Sequence, residues 1–126
     1  MDLPKKERTF YFKHTGRETG FVYEGTFTIK CVLNIGEKRV MELEMSRLQG
    51  DLINGTPQLK AIAEALASLR ARIVDAPEWW KQGGGLSIED EDTVVALMGE
   101  IDKNVDEFRK SLVEKAKATS GSESGN

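Results

Sequence analysis

Between Phe21 and Leu33 the chain alternates. Phe21, Tyr23, Phe27, Ile29, Cys31 and Leu33 fall on one face of an extended segment; Glu24, Thr26, Thr28 and Lys30 fall on the other. A period of two predicts a half-buried strand. Thr9–His14, carrying Phe10 and Phe12, predicts a shorter strand before it, and Thr15–Gly20, with a glycine near each end, predicts the turn between them. The pair makes a β-hairpin, with Phe10, Phe12, Tyr23 and Phe27 available for cross-strand contacts. Two strands alone are marginal in water, so this hairpin must lie on helices or pair with another chain. Gly25, in mid-strand, marks a bulge, a bend or a place where another backbone comes close.

After Asn34-Ile-Gly36 the period changes. Glu37–Leu48 predicts a helix, with Met41, Met45 and Leu48 on one stripe, Val40 beside them and Gly50 as a stop. Asp51–Gly55 reads as a connection. Thr56-Pro57 is a strong helix start, because threonine caps free amides and proline at the first position gives up none that would be paired. That helix runs to about Ile73 through Leu59, Ile62, Leu66 and Leu69, and its alanines let neighbours approach closely. Pro77 breaks the pattern. Trp79 and Trp80 are adjacent, so they cannot face one side of a regular element; one seals the core and the other lies on the surface or in a contact. Gln82–Gly85 reads as a flexible hinge. Ser87-Ile-Glu-Asp90 resembles a capping box for a last helix from about Glu89 to Lys117, striped by Val94, Leu97 or Met98, Ile101, Val105, Phe108 and Leu112. Its far end, longer than so small a core needs, projects or packs on another subunit. The expected architecture is α+β: an N-terminal β-hairpin packed on about three helices, one of them long and C-terminal. Residues 1–8 form a flexible arm, 9–117 a single domain and 118–126 a disordered tail rich in serine and glycine.

A chain of 126 residues can bury a modest core, yet its charged fraction of 31% is high against 39% hydrophobic. That balance fits a large wet surface or a core completed by a partner. Residues 1–50 carry nine Lys/Arg against seven Asp/Glu, and residues 51–126 nine against fourteen. With no dense basic patch, nucleic-acid binding is not expected. Nor is membrane insertion, because no apolar run approaches the ~20 residues a span requires. Met1–Lys6 is charged and no apolar segment follows it, so a secretory signal is not expected either.

Candidate chemistry is sparse. Cys31, the one cysteine, falls on the apolar face and reads as a small buried hydrophobe. His14, the one histidine, reads as a surface residue beside a turn. Glu89–Asp92 lacks the alternating ligands and turn glycine of a calcium loop and reads as first-turn carboxylates favoured by the helix dipole. Gly83–Gly85 lacks the lysine and spacing of a phosphate loop. No catalytic, metal or cofactor residues are assigned, and an enzyme is not expected. The candidates for partner contact are Phe10, Phe12, Tyr23, Thr26, Thr28, Trp79 and Trp80. Tryptophan is over-represented at binding hot spots. The Thr26–Thr28–Lys30 face either meets solvent or belongs to an edge strand that accepts a neighbour's strand.

The order of features carries a resemblance. Tyr23-Glu-Gly-Thr-Phe-Thr-Ile-Lys30 is followed by Arg47-Leu-Gln-Gly50, an alanine-rich helix ending Leu69-Arg-Ala-Arg-Ile-Val-Asp-Ala-Pro-Glu-Trp-Trp80, a glycine loop, an acidic helix start and a long terminal helix. Over roughly residues 21–112 this resembles small proteins encoded among the head and tail morphogenesis genes of tailed bacteriophages. The resemblance implies a non-catalytic virion accessory protein that decorates or cements the head through contacts with the major capsid protein or with itself. Such a protein resides in the virion and, during assembly, in the host cytoplasm. The resemblance equally admits a tail assembly chaperone that binds the tape-measure protein. A small inhibitor of a host enzyme is the alternative from another class. The resemblance supplies no functional residues to carry over.

Overall fold

The computed structural model describes residues 6–50 and 55–124, with side chains as far as residue 117. Strands β1 (Glu7–Thr15) and β2 (Val22–Lys30) form the hairpin, and helices α1 (Ile35–Gly50) and α2 (Pro57–Arg72) follow. A short strand β3 (Ile73–Asp75), a single helical turn α3 (Glu78–Lys81), a 3-10 turn (Gln82–Gly85) and the long helix α4 (Glu91–Ser124) complete the chain. The α+β architecture is the expected one. Met1–Lys5 of the expected arm, residues 51–54 of the expected connection and residues 125–126 of the expected tail lie outside the described residues.

Sequence alternation decides which face of the hairpin is dry. Phe12, Tyr23, Phe27, Ile29 and Cys31 are buried on the inner face, against Leu66, Ala67 and Leu69 of α2 and Val94, Leu97, Ile101 and Val105 of α4. Thr9, Tyr11, Lys13, Glu24 and Thr26 are exposed on the outer one. The hairpin is therefore sheltered by helices of its own chain. Its inner rings interlock: Phe10 stacks on Phe27 at 5.7 Å, and Phe12 meets Phe27 edge-on at 5.9 Å.

Several expectations need correction. β1 begins at Glu7, because Arg8 is held at the far end of the sheet by the Asn104 carbonyl (3.1 Å) and Glu107 (3.2 Å) of α4. α1 starts at Ile35, two residues early, because Asn34 and Glu37 exchange side-chain-to-amide bonds of 2.8 and 2.9 Å, a reciprocal cap. Val40 is exposed, not on the buried stripe. α2 is capped as expected, by Thr56 Oγ from the Leu59 amide at 3.2 Å. It ends at Arg72, where Ile73–Asp75 turns outward as β3, antiparallel to β2.

That third strand answers the question of the β2 edge. β2 is central in the order β1-β2-β3. Where β3 stops, side chains take over its outward carbonyls: Trp79 Nε1 donates to Glu24 at 3.0 Å, and Arg72 donates to Lys30 at 3.0 Å. The edge on which Thr26 and Thr28 lie is thus occupied by the same chain, and no strand from a neighbour is needed there. At Gly25 the close approach is made by the Pro77 ring. A Cβ there would sit 2.2 Å from Pro77 Cγ, and the backbone holds φ +154°.

The glycine loop is tied down, not a hinge. Arg70 of α2 donates to the carbonyls of Gly84 (2.9 Å) and Gly83 (3.0 Å) while pairing with Glu44 of α1. Three positive φ angles in succession, at Gly83, Gly84 and Gly85, give the loop its tight path. Beyond Phe108, the side chains of α4 from Arg109 to Lys117 are exposed, so this end projects from the core.

Thr93, in the first turn of α4, is fully buried, and among the described residues its hydroxyl has no hydrogen-bond partner. Replacing a buried, unbonded hydroxyl by a methyl of the same shape removes a desolvation cost. Thr93→Val is therefore expected to leave the thermal midpoint unchanged or raise stability by about 1 kcal/mol, measured by chemical denaturation. A loss above that size would mean that the hydroxyl is bonded in solution.

Candidate functional site at the hairpin tip

The tip is held by a latch of two aspartates, Asp90 just before α4 and Asp92 in its first turn. The loop closes on itself through Gly16 N–H to Phe21 O (2.8 Å) and Gly20 N–H to Gly16 O (2.9 Å). Asp90, wholly buried, then takes four donors. One oxygen accepts the amides of Glu18 (2.7 Å) and Thr19 (3.0 Å), and the other accepts the Thr19 hydroxyl (2.6 Å) and the Tyr23 hydroxyl (2.7 Å). Four bonds match the acceptor sites that a carboxylate presents. Asp92 adds the Arg17 amide at 3.1 Å and His14 Nε2 at 2.7 Å. Gly16 is where the loop touches the carboxyl group, since a Cβ there would lie 2.2 Å from Asp90 Cγ.

The latch corrects three readings. His14 is part-buried and paired, not a free surface histidine. Ser87-Ile-Glu-Asp90 is not a capping box: α4 starts at Glu91, and Asp90, the residue before it, turns its side chain away from its own helix to the hairpin. The acidic run does open the helix, but two of its members serve as acceptors for the turn.

Hydrogen bonds to the ionised form set the titration of both groups. The Thr19 hydroxyl, then Tyr23 and the two amides, hold the Asp90 carboxyl down at about 2, against the desolvation that opposes them. Asp92 is lowered as well, first by His14. A carboxylate depressed in the folded state adds stability above its unfolded pKa of about 3.9 and loses it as pH falls toward the folded value. The tip is therefore expected to loosen between about pH 4 and pH 2. One-dimensional proton spectra recorded down that range would show the Tyr23 and Thr19 resonances shifting first; an unchanged tip at pH 2 would contradict the latch.

The latch places aromatic side chains. Thr19 Oγ also accepts the Phe21 amide at 3.1 Å, fixing the start of β2. Phe21, expected on the buried face, is 54% exposed. Its ring meets Tyr23 edge-on at 4.8 Å, and Tyr23 meets Trp79 edge-on at 5.2 Å. Trp79 is half-buried, held by its indole bond to β2. Beside these rings opens a cleft of about 420 Å³, lined also by Ile88. Glu89 is the one acidic or basic side chain in its lining.

Of the seven residues expected to touch a partner, Tyr23 and Trp79 are brought together in this cleft. Phe12 and Trp80 are buried at 3% and 5% exposure and offer no ring to a partner. Phe10 is half-buried, Thr26 is exposed, and Thr28 is half-buried with its hydroxyl 3.1 Å from that of Thr9. Sequence reasoning missed the roles of Phe21, Asp90 and His14. One signal was present: Tyr23 is the one residue with a hydroxyl on an otherwise apolar face, and a buried tyrosine oxygen requires a partner.

Comparison with protein-family models, with curated proteins and with solved structures gives no match to this chain. Among the described residues, no three His, Cys, Asp or Glu side chains converge to hold a metal ion, and no helix is long and apolar enough to cross a membrane.

Proposed function

We propose that this chain is a non-catalytic accessory protein of tailed-phage assembly that docks a partner protein at the hairpin tip. The phage setting rests on the resemblance of its ordered features to morphogenesis proteins. The docking site rests on one observation: Phe21 is held out in solvent, edge-on to Tyr23, at the mouth of a preformed aromatic cleft. Preformed sites bind without the cost of ordering themselves. The rings of Phe21 and Trp79, backed by the buried Tyr23, with a single carboxylate favour a basic side chain of the partner, which gains from both the ring faces and Glu89. On the leading version the partner belongs to the phage head. A second reading, the tail assembly chaperone, draws on α1, where Ile35, Val40 and Leu43 are 87%, 65% and 59% exposed and could shield an apolar partner helix.

The test uses the full-length protein in lysates of cells producing the phage. The wild type is expected to sediment with purified particles. Phe21→Ala and Glu89→Lys are expected to remain in the supernatant, with melting temperatures within about 2 °C of wild type, since both side chains are largely exposed. Absence from particles, with co-purification of a very long helical phage protein, would select the chaperone reading. Undiminished binding by both variants would remove the tip as the docking site.

A further inference from the structure

The sheet has two edges, the three-residue β3 and the nine-residue β1, and the long one lies on β1. The hairpin bonds Gly16 N–H to Phe21 O and Cys31 N–H to Lys6 O fix the phase of the ladder. Even-numbered residues of β1 bond β2. The amides and carbonyls of Glu7, Thr9, Tyr11, Lys13 and Thr15 therefore point away from it. Among the described residues no hydrogen bond reaches these groups. Five alternate residues in regular register form a template, and such edges pair with other chains unless they are blocked. β1 contains no proline, and its pairing with β2 is regular from Glu7 to Thr15.

We infer that β1 pairs antiparallel with β1 of a second copy, giving a continuous six-stranded sheet across a two-fold axis. Charge picks both the occupant and the register. Glu7 and Lys13 are exposed at the two ends of the edge, and neither has an ion-pair partner among the described residues. Centring the pairing on Phe10 sets Glu7 of each copy opposite Lys13 of the other, and Thr9 opposite Tyr11. Both pairs use outward-facing backbone groups. Shifting the centre to Tyr11 would set Lys13 opposite Thr9 and lose both charge pairs. The chosen register also brings the two Phe10 side chains together at the axis, in a close pair on the inner face. Phe10 is half-buried in the single chain, where its neighbours Phe12 and Phe27 are buried. The tip cleft is lined by Thr19, Gly20 and Phe21 of the turn, outside the Glu7–Lys13 segment that pairs, and stays open in the dimer.

Sedimentation equilibrium of the full chain tests this. A dimer is expected at about 100 µM, dissociating on dilution. Proline is tolerated on an edge strand where its missing N–H faces outward. Tyr11→Pro is therefore expected to give a folded monomer, its circular dichroism unchanged; should it fail to fold, Thr9→Pro probes the same edge. Glu7→Lys or Lys13→Glu alone is expected to weaken the dimer roughly tenfold, since each puts like charges opposite one another twice. The two changes together are expected to restore it. A wild type that stays monomeric, a dimer that survives proline in β1, or a double variant as weak as the singles would overturn the inference.

Discussion

Asp90→Ala is expected to lower the melting temperature by roughly ten degrees and to free the hairpin tip. Four donors lose their acceptor at once, and the Tyr23 hydroxyl is left buried with nothing to bond. A stranded buried donor costs about 1–3 kcal/mol, and in a domain of this size each kcal/mol moves the midpoint by about 4 °C. Asp90→Asn keeps one acceptor oxygen and is expected to fall between the two. Tyr23→Phe in the Asp90→Ala background removes the stranded hydroxyl, so the double variant is expected to regain part of the loss. Thermal denaturation of the four proteins forms the cycle. Additive losses from the two single changes would mean that the hydroxyl and the carboxylate do not act together.

Trp80→Ala is expected to cost about 3–5 kcal/mol, the range for removing a buried aromatic ring that its surroundings cannot fill. The ring is 5% exposed and lies against Gly85, where a Cβ would come 2.6 Å from Trp80 Cζ3 and 2.8 Å from Leu66 Cδ2. Arg70 and the glycine loop fix that wall, so the site cannot collapse to heal the cavity. Trp79→Ala is expected to be milder in urea denaturation, because Trp79 is only half-buried, but it removes one wall of the proposed docking cleft. A Trp80→Ala protein as stable as wild type would show that the plug at the end of α2 is not part of the core.

How much of this was legible in the chain depended on range. Alternation in β2 and the three- and four-residue spacing in α2 and α4 are local signals, and each named its buried face correctly at Phe27, Ile29, Leu66, Leu69, Leu97 and Ile101. Of the two tryptophans, one expected in the core and the other on the surface or in a contact, Trp80 is buried and Trp79 is half-buried against the core rings. The third strand is three residues long, too short for any period to show. The Asn34–Glu37 cap was readable, since its spacing is that of a capping box with asparagine for serine. The latch was not. Asp90 and Thr19 stand 71 residues apart, and an aspartate before a helix normally caps its own amides. Only the folded chain brings the turn close enough to compete for that carboxylate. Phe21 misled as well: it keeps its place in the alternation, but it stands just before β2 and its ring lies edge-on to Tyr23 with 54% of the residue exposed.

Amide hydrogen exchange at Glu18 and Thr19 tests the latch most directly. Both residues lie in an exposed turn, where amides normally exchange at the rate of an unstructured peptide. Bonded to Asp90, they are expected to be protected nearly as well as the amides of β2, and to lose that protection in Asp90→Ala. Free exchange at both positions in the wild-type protein would mean that Asp90 does not hold the tip, and the preformed cleft beside Phe21 would lose its support.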